Sequence, residues 1–442
     1  MQVEIFRSFV LMNFLKIPLD NWVEKLTNNP VLRTIAGFTL DNLVKTSSYY
    51  DFINRTVPLN EPPEIKPNKK KPKDKPKKGE KLPPKKPGAV ADIVNQVINE
   101  EDKLLRRLSR RPERFLQRIF ARVAVDTSVS LGLVPNAVNV SGDGTCIETG
   151  ASSYGVKVCK CRENGIYRCD CDRKYSDPNA NWGWDSYEER FFYGYTGYFI
   201  STYCRPEKID LPLYLRLVQA NRHDSVSAIF SLAEFRELYP NLHINTFISD
   251  SASDNYATYE LLNHWNMNAV IALNEKNKGN YKYPPALRID NDGTPICPGG
   301  CRMKFDSFCK DRCRLKWRCP RTWCDFGPLD ACASCSHSSY GRVIYTKPHW
   351  DPRLFTRIPR DSQTWKTLMK ERTAAERSNK RILHDYGIEG THIRSKKRLS
   401  FFVTLAGINV HLDAQLKYLI SKDRFDFNQL IFGIQDNHIC AA

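Results

Sequence analysis

Residues 244–256 restrict the fold of this 442-residue chain more than any other stretch. The first part, around Ile244, Phe247 and Ile248, is rich in β-forming apolar residues, and the part after Asn255 has helical periodicity. Ser249-Asp250-Ser251 lies between them, so the unit reads as strand, turn, helix. Such a unit needs a sheet and a helical layer to bury its apolar surface. Around it the sequence predicts strands at 137–140, 190–203, 211–220, 244–249 and 269–273, with helices at 225–238 and 255–265. Three strands followed by strand–helix alternation predict an α/β fold with a mixed five-stranded sheet.

The rest of the chain divides around this core. Residues 1–58 predict a helical N-terminal DNA-binding region, with Asp20 and Thr39 as helix starts and a third helical run at 39–44. Residues 59–88 are a linker that cannot build a core: the span 58–87 holds nine prolines and 11 lysines. Helical pattern resumes at 89–136. Residues 137–274 are the first part of the core and 275–362 a cysteine-rich, loop-rich insertion. Residues 363–442 complete the core with a long helix at 362–384 and a final amphipathic helix at 399–420.

Net charge is +18, and the linker carries only part of it, which favours an anionic partner such as double-stranded DNA. The N-terminal stretch is broken by Glu4, Arg7 and Lys16 and does not read as a signal peptide. No run of apolar residues approaches 18, so no membrane association is expected. Fifteen cysteines without a secretion signal point to metal binding rather than disulfides, and to a cytoplasmic, nucleoid-associated protein.

Two cysteine groups have ligand-like spacing. Cys159, Cys161, Cys169 and Cys171 flank a seven-residue stretch containing Asn164-Gly165, a hairpin signal, and predict a structural Zn²⁺ site. Cys297, Cys301, Cys309, Cys313, Cys319, Cys324, Cys332 and Cys335 suffice for two further four-cysteine zinc sites. Which of the eight would share an ion is open. Interleaved Lys304, Lys310, Arg312, Arg314, Lys316, Arg318 and Arg321 would give the insertion a basic surface. Cys146, Cys204 and Cys440 read as unpaired.

Three carboxylates carry the candidate chemistry. Asp250 ends a predicted strand, where open α/β sheets gather ligands. Asp143 follows an apolar run in Val140-Ser141-Gly142-Asp143-Gly144, and Glu376 lies inside a helical pattern. Trp365, Leu368, Arg372, Glu376, Asn379 and Leu383 step by three or four along one face of that helix. Asp143, Asp250 and Glu376 are expected to meet and hold two Mg²⁺ (or Mn²⁺) ions, since hard cations take oxygen ligands and a metal pair suits phosphodiester chemistry. Asp254 is the rival of Asp250 and reads better as a helix cap; Asp224 also reads as a cap. The bland alternative for Glu376 is an exposed ion pair with Lys380.

Taken in order, Gly142-Asp143-Gly144, Tyr193-Gly194-Tyr195, Asn221-Arg222-His223-Asp224-Ser225, Ser249-Asp250-Ser251-Ala252-Ser253-Asp254, the Cys297-Pro298 to Met303 stretch and Glu371-Arg372-Thr373-Ala374-Ala375-Glu376-Arg377 resemble bacterial insertion-sequence DDE transposases. The likeness spans roughly residues 30–420. It implies an RNase H-like (retroviral-integrase-like) catalytic domain, with the third carboxylate on a helix separated from the fifth strand by an insertion. It also implies cleavage at terminal inverted repeats, transfer of the 3′-hydroxyl strands to target DNA, and a homodimer pairing the two ends. Arg372 matches the family's Arg on this helix, whereas Met369 and Leu383 stand where it has Tyr and Lys. Lys380 is then the candidate phosphate contact beside Arg372. Two other readings fit the same residues: an RNase H-fold nuclease without strand transfer, and a zinc-stapled DNA-binding protein such as an inactive, domesticated transposase.

Overall fold

The computed structural model describes residues 1–57, 64–66, 88–275, 283–320, 335–336, 338 and 341–422. At its centre runs β1 (Ala137–Glu148), with Val138, Val140 and Ile147 buried. The strand is far longer than its apolar start suggested, because from Val140 onward it pairs with a still longer neighbour. That neighbour, β3 (Arg190–Cys204), runs antiparallel in a register from Val140 opposite Thr202 to Glu148 opposite Gly194. β4 (Ile209–Gln219) pairs antiparallel with the outer side of β3. On the other side of β1, β5 (His243–Ser249) is parallel to it, and β6 (Asn268–Ile271) is parallel to β5. The order is therefore β4-β3-β1-β5-β6, a mixed sheet in an α/β fold. A sixth strand, β2 (Asn181–Asp185), pairs with the start of β3 and was not expected from sequence. Its run is only five residues long and its alternating Trp182 and Trp184 lie exposed rather than in the core.

Helices cover both sides. α1 (Gln2–Phe14), α2 (Leu19–Asn28), α3 (Pro30–Ala36) and α4 (Thr46–Thr56) form the N-terminal bundle. The helical run expected at 39–44 is instead a turn; Asn29 caps α3, accepting from Leu32 N, and Gly37 ends it at φ +89°. α5 (Ala89–Ser109) kinks at Glu100 and stops before Pro112, where α6 (Arg114–Phe120) begins. A π-helical turn at Ala121–Val125 joins α6 to α7 (Asp126–Ser130). α8 (Asp224–Leu238) and α9 (Tyr256–His264) are the crossovers into β5 and β6, and α5 lies over both through Val94, Val97, Leu104 and Leu108 against Ile229 and Leu261.

The predicted long helix at 362–384 is interrupted. α10 (Gln363–Lys370) starts at Ser362, whose hydroxyl accepts from Trp365 N, and α11 (Thr373–Lys380) follows after a break at Glu371 and Arg372. Glu371 turns inward there and accepts from Arg205 Nε at 2.6 Å and Asn139 Nδ2 at 3.4 Å. A second π turn, Arg381–Asp385, extends α11. α12 (Lys396–Ser421) is not a surface amphipathic helix. It is long and apolar enough to cross a membrane, but 78% of its apolar window is buried within the protein. One side of it faces the sheet. The other receives the N-terminal bundle, where Phe9, Trp22, Tyr49 and Phe52 share a core with Phe401 and Leu405. Asn409 Nδ2 fastens the two by donating to Val10 O at 3.1 Å and Asn13 Oδ1 at 2.9 Å.

Within the 275–362 insertion, β7 (Lys304–Cys309), β8 (Arg314–Arg318) and β9 (Val343–Thr346) form an antiparallel meander around Met303, Leu315 and Trp317. The chain returns to the sheet through a buried ion pair. Arg353 Nε donates to both Asp254 oxygens at 3.0 and 2.9 Å, and Tyr259 Oη and Asn274 N donate to the same carboxylate at 2.8 and 2.7 Å. Asp254 is thus an anchor, and the cap of α9 is Asn255, which accepts from Thr258 N. Removing one partner of such a pair strands a buried charge. Asp254→Asn is expected to lose about 3–5 kcal/mol in denaturant unfolding, with Asp250→Asn close to wild type; equal losses would show that Asp254 is not the anchor.

Candidate functional site

The middle of β1 is flanked by two glycines for reasons of space. A Cβ on Gly142 would collide with Tyr198 Oη, and one on Gly144 would lie 2.6 Å from Asp224 Cγ and Oδ2. Asp143 sits between them, mid-strand rather than in a turn, paired with Phe199 across the ladder. Its Oδ2 accepts from Asn379 Nδ2 of α11 at 3.2 Å. Burial, then the charges of Asp224, Asp250 and Glu376, push its carboxyl up to about 7, with Arg372 opposing them. The three carboxylates singled out in the sequence, more than a hundred residues apart along the chain, are therefore electrostatic neighbours.

Asp250 ends β5 and lies exposed, accepting from Ala252 N at 3.0 Å in its own turn. Glu376 stands on α11, which packs against β1, β3 and β4, and its partner is Arg372 at 2.6 Å rather than Lys380. Lys380 is exposed one turn further on. Arg377 on the same helix is held by Asp210, with Nη2 donating to Oδ1 at 2.8 Å.

A fourth acid joins the group. Asp224 opens α8 but caps nothing; the N-cap position is His223, and the Asp224 carboxylate turns toward Gly144. Burial and the charge of Asp250 push it up to about 6. It makes no hydrogen bond or ion pair with another described residue. Tyr198, paired with Gly144 across the ladder, is 1% exposed and its hydroxyl has no partner among the described residues. Burial and the charges of Asp224, Asp143 and Asp250 hold that phenol well above its usual range. A cleft of about 1240 Å³ opens beside this group, with Gly144, Asp224, Arg222, Trp184 and His392 in its walls.

Four acids crowded around a single arginine are held at a cost unless a cation joins them. Oxygen donors of this kind fit Mg²⁺ or Mn²⁺. The carboxylates approach without closing into a tight cage: among the described residues, the one group of three or more ligand atoms lying within 4.8 Å of one another is made of thiols.

Those thiols belong to Cys159, Cys161, Cys169 and Cys171. Cys159 and Cys169 Sγ are 3.5 Å apart, as are Cys161 and Cys171 Sγ. Tetrahedral zinc with bonds of about 2.3 Å places its sulfurs about 3.8 Å apart, so this cluster fits zinc. The fold achieves it with a turn in which Ile166 N donates to Cys161 O at 2.8 Å and Gly165 takes φ +72°. The β ladder lies further down the arm, at Val156–Lys157 against Arg173–Lys174, and Ile65–Lys66 from the linker adds a third strand. Backbone and thiol hydrogen bonds from Cys161 and Cys169 pull the Cys159 thiol down to about 7.

In the second group, Cys297 and Cys301 bracket a turn closed by Cys297 N donating to Cys301 O at 2.8 Å, and Cys309 and Cys313 bracket the β7–β8 turn. Among the described residues, no three sulfurs of these four, Cys319 and Cys335 lie within 4.8 Å of one another. Cys324 and Cys332 lie outside the described residues, as do Arg321, Cys440 and most of the linker. Cys204 is buried in the sheet core and Cys146 half-buried beside Asp185.

Sequence reasoning gave Asp224, Asn379 and Tyr198 no role at this site, although it placed Asn379 on the face of Glu376 and read Asp224 as a cap. Asp224 carries the same signal as Asp250, an acid where a strand–helix crossover turns, but its helix-start position gave a sufficient local explanation. Tyr198 is one aromatic among many in a β-rich run. No family model matches this chain, and no curated protein is significantly similar to it in sequence.

Two outcomes follow. Asp143 has a folded pKa near 7, above its ordinary 3.8, so the stability tied to its protonated form is full below about pH 4 and lost as pH rises through 7. In EDTA, Asp143→Asn should therefore melt higher than wild type at pH 8 and close to it at pH 5; a gap that does not depend on pH would remove the charge-crowding account. Replacing Cys161 and Cys169 by Ser should lower zinc content by one ion per chain, measured by elemental analysis, and expose the 157–173 arm to protease. Unchanged zinc content would rule out this cluster as a site.

Proposed function

We propose that this chain is a DDE-type transposase that cuts DNA at transposon ends and transfers the 3′-hydroxyl strands to target DNA. The observation that carries the reading is that Asp250, at the end of β5, and Glu376, on a helix lying across β1, both stand close enough to Asp143 for their charges to raise its carboxyl. The strand order supports it: an antiparallel meander, then two parallel strands added through helical crossovers, is what the RNase H-like reading calls for. The insertion separates β6 from the helix carrying Glu376, also as that reading requires.

In this account Asp143, Asp250 and Glu376 hold a pair of divalent ions, which would activate the attacking water or 3′-hydroxyl and neutralise charge at the phosphate. Asn379 fixes the rotamer of Asp143 through its amide. Arg372 sets Glu376 and presents its remaining donors to a phosphate; Lys380, one turn on and exposed, adds positive charge along the same path. The cleft beside Asp224 gives room for a DNA strand. The thiol cluster, holding zinc, stiffens the 157–173 arm. The net charge of +18 suits duplex DNA, both terminal repeats and target, and two copies would pair the two ends.

The test is strand cleavage and joining on DNA carrying the element's ends, with Mg²⁺ or Mn²⁺. Wild type is expected to cut and join, with losses of about 10²-fold or more for Asp143→Asn, Asp250→Asn and Glu376→Gln. Cutting without joining would replace this reading by a nuclease, and tight end binding without metal-dependent cutting would replace it by a binding protein.

A further inference from the structure

We infer that Arg205 and Asp210, at the tip of the β3–β4 hairpin, are positioning residues for Glu376, acting through ion pairs with Glu371 and Arg377 on either side of it. The inference rests on reading the carboxylate group as a metal centre and adds to it two pairs of residues that touch no metal in that scheme.

The hairpin is tight. Tyr203 stands opposite Asp210 and Cys204 opposite Ile209, and Lys208 N closes the turn on Arg205 O at 3.3 Å. Arg205 and Asp210 therefore leave a firm tip from its two sides. Each reaches the segment that carries Glu376, with opposite polarity. Arg205 Nε donates to Glu371 Oε1 at 2.6 Å, in the break before α11, and Asn139 Nδ2 of β1 donates to Glu371 Oε2 at 3.4 Å. Arg377 donates back to the hairpin as a bidentate fork, Nη2 to Asp210 Oδ1 at 2.8 Å and Nε to Oδ2 at 2.5 Å. Its guanidinium lies 5.8 Å from the centroid of the Tyr203 ring.

Glu376 lies between these two anchor points, which are about 9 Å apart at about 1.5 Å of helix rise per residue. Its own ion pair is with Arg372, one turn back on the same segment, and fixes nothing relative to the sheet. The face that α11 buries is made of Ala374, Ala375, Ser378 and Asn379. Small side chains allow a close approach and give little resistance to sliding or rotation. The hairpin pairs supply that resistance. Arg377 is half-exposed, so its pair adds little to stability, yet its fork fixes direction. Placement of Glu376 and stability of the fold are thus separable by experiment.

The test is Mn²⁺ binding to the metal-free protein, followed by the EPR signal of free Mn²⁺, with melting and duplex DNA binding measured beside it. Arg205→Gln with Arg377→Gln should melt close to wild type and bind Mn²⁺ about tenfold more weakly. The sign is informative, because removing two positive charges would by Coulomb attraction alone tighten the binding of a cation. Asp210→Arg should also bind weakly, and adding Arg377→Asp to it, which restores the pair at the wild-type net charge, should recover most of the affinity. Wild-type or tighter Mn²⁺ binding in the double Gln variant, with binding weakened in Glu376→Gln, would overturn the inference and leave the metal centre standing. So would weaker DNA binding at unchanged Mn²⁺ affinity, which would make Arg377 a phosphate contact. Affinity that falls only in step with melting temperature, without recovery in the swapped pair, would overturn it as well. Failure of wild type itself to bind Mn²⁺ would overturn the metal-centre reading and this inference with it.

Discussion

Repulsion among carboxylates at the middle of β1 is the constraint on which the rest of this structure depends. Like charges move apart when side chains are free to do so. Here each is fastened to a different rigid element: Asp143 to a strand paired on both edges, Asp250 to the end of its parallel neighbour, Asp224 to the first turn of α8, and Glu376 to α11. The sheet registers and the packing of α5 over α8 hold that arrangement against its own electrostatics. Stability elsewhere is spent to keep a site ready, which is the usual relation between a core and the strained group it carries.

The two cysteine-bearing segments leave the sheet at different places and are secured in different ways. The first, between β1 and β2, has little apolar material and depends on four thiols and a few ladder bonds. The second has a small core of its own around Trp317 and rejoins the sheet through Arg353 and Asp254. That ion pair lies four residues beyond Asp250, so the insertion's return path and the turn that presents Asp250 form one bonded unit.

Much of this was legible in the residues because the signals were local. The β5 strand, its turn and α9 follow from apolar spacing, but the cap expected at Asp254 is Asn255, and Asp254 is bonded to Arg353 instead. What was not legible depends on partners far away in the chain. β1 continues past its apolar run because β3 is there to pair with it. The helix at 362–384 breaks because Glu371 finds Arg205. Asp224 looked like a cap because nothing within ten residues says that Gly144 stands in front of it. Trp182 and Trp184 form a strand only against Phe191, Phe192 and Tyr193.

The position of α12 has a consequence for the order in which the chain can acquire its structure. Helices α1 to α4 are synthesised first, yet Phe9 and Phe52 find part of their cover on Phe401, several hundred residues later. Until α12 leaves the ribosome the bundle carries an uncovered aromatic face and the sheet lacks the apolar helix that lies between the two. Each completes the other. The last described helix therefore acts as a keystone, and a chain cut short before it would present two sticky surfaces at once, a natural target for chaperone capture or proteolysis.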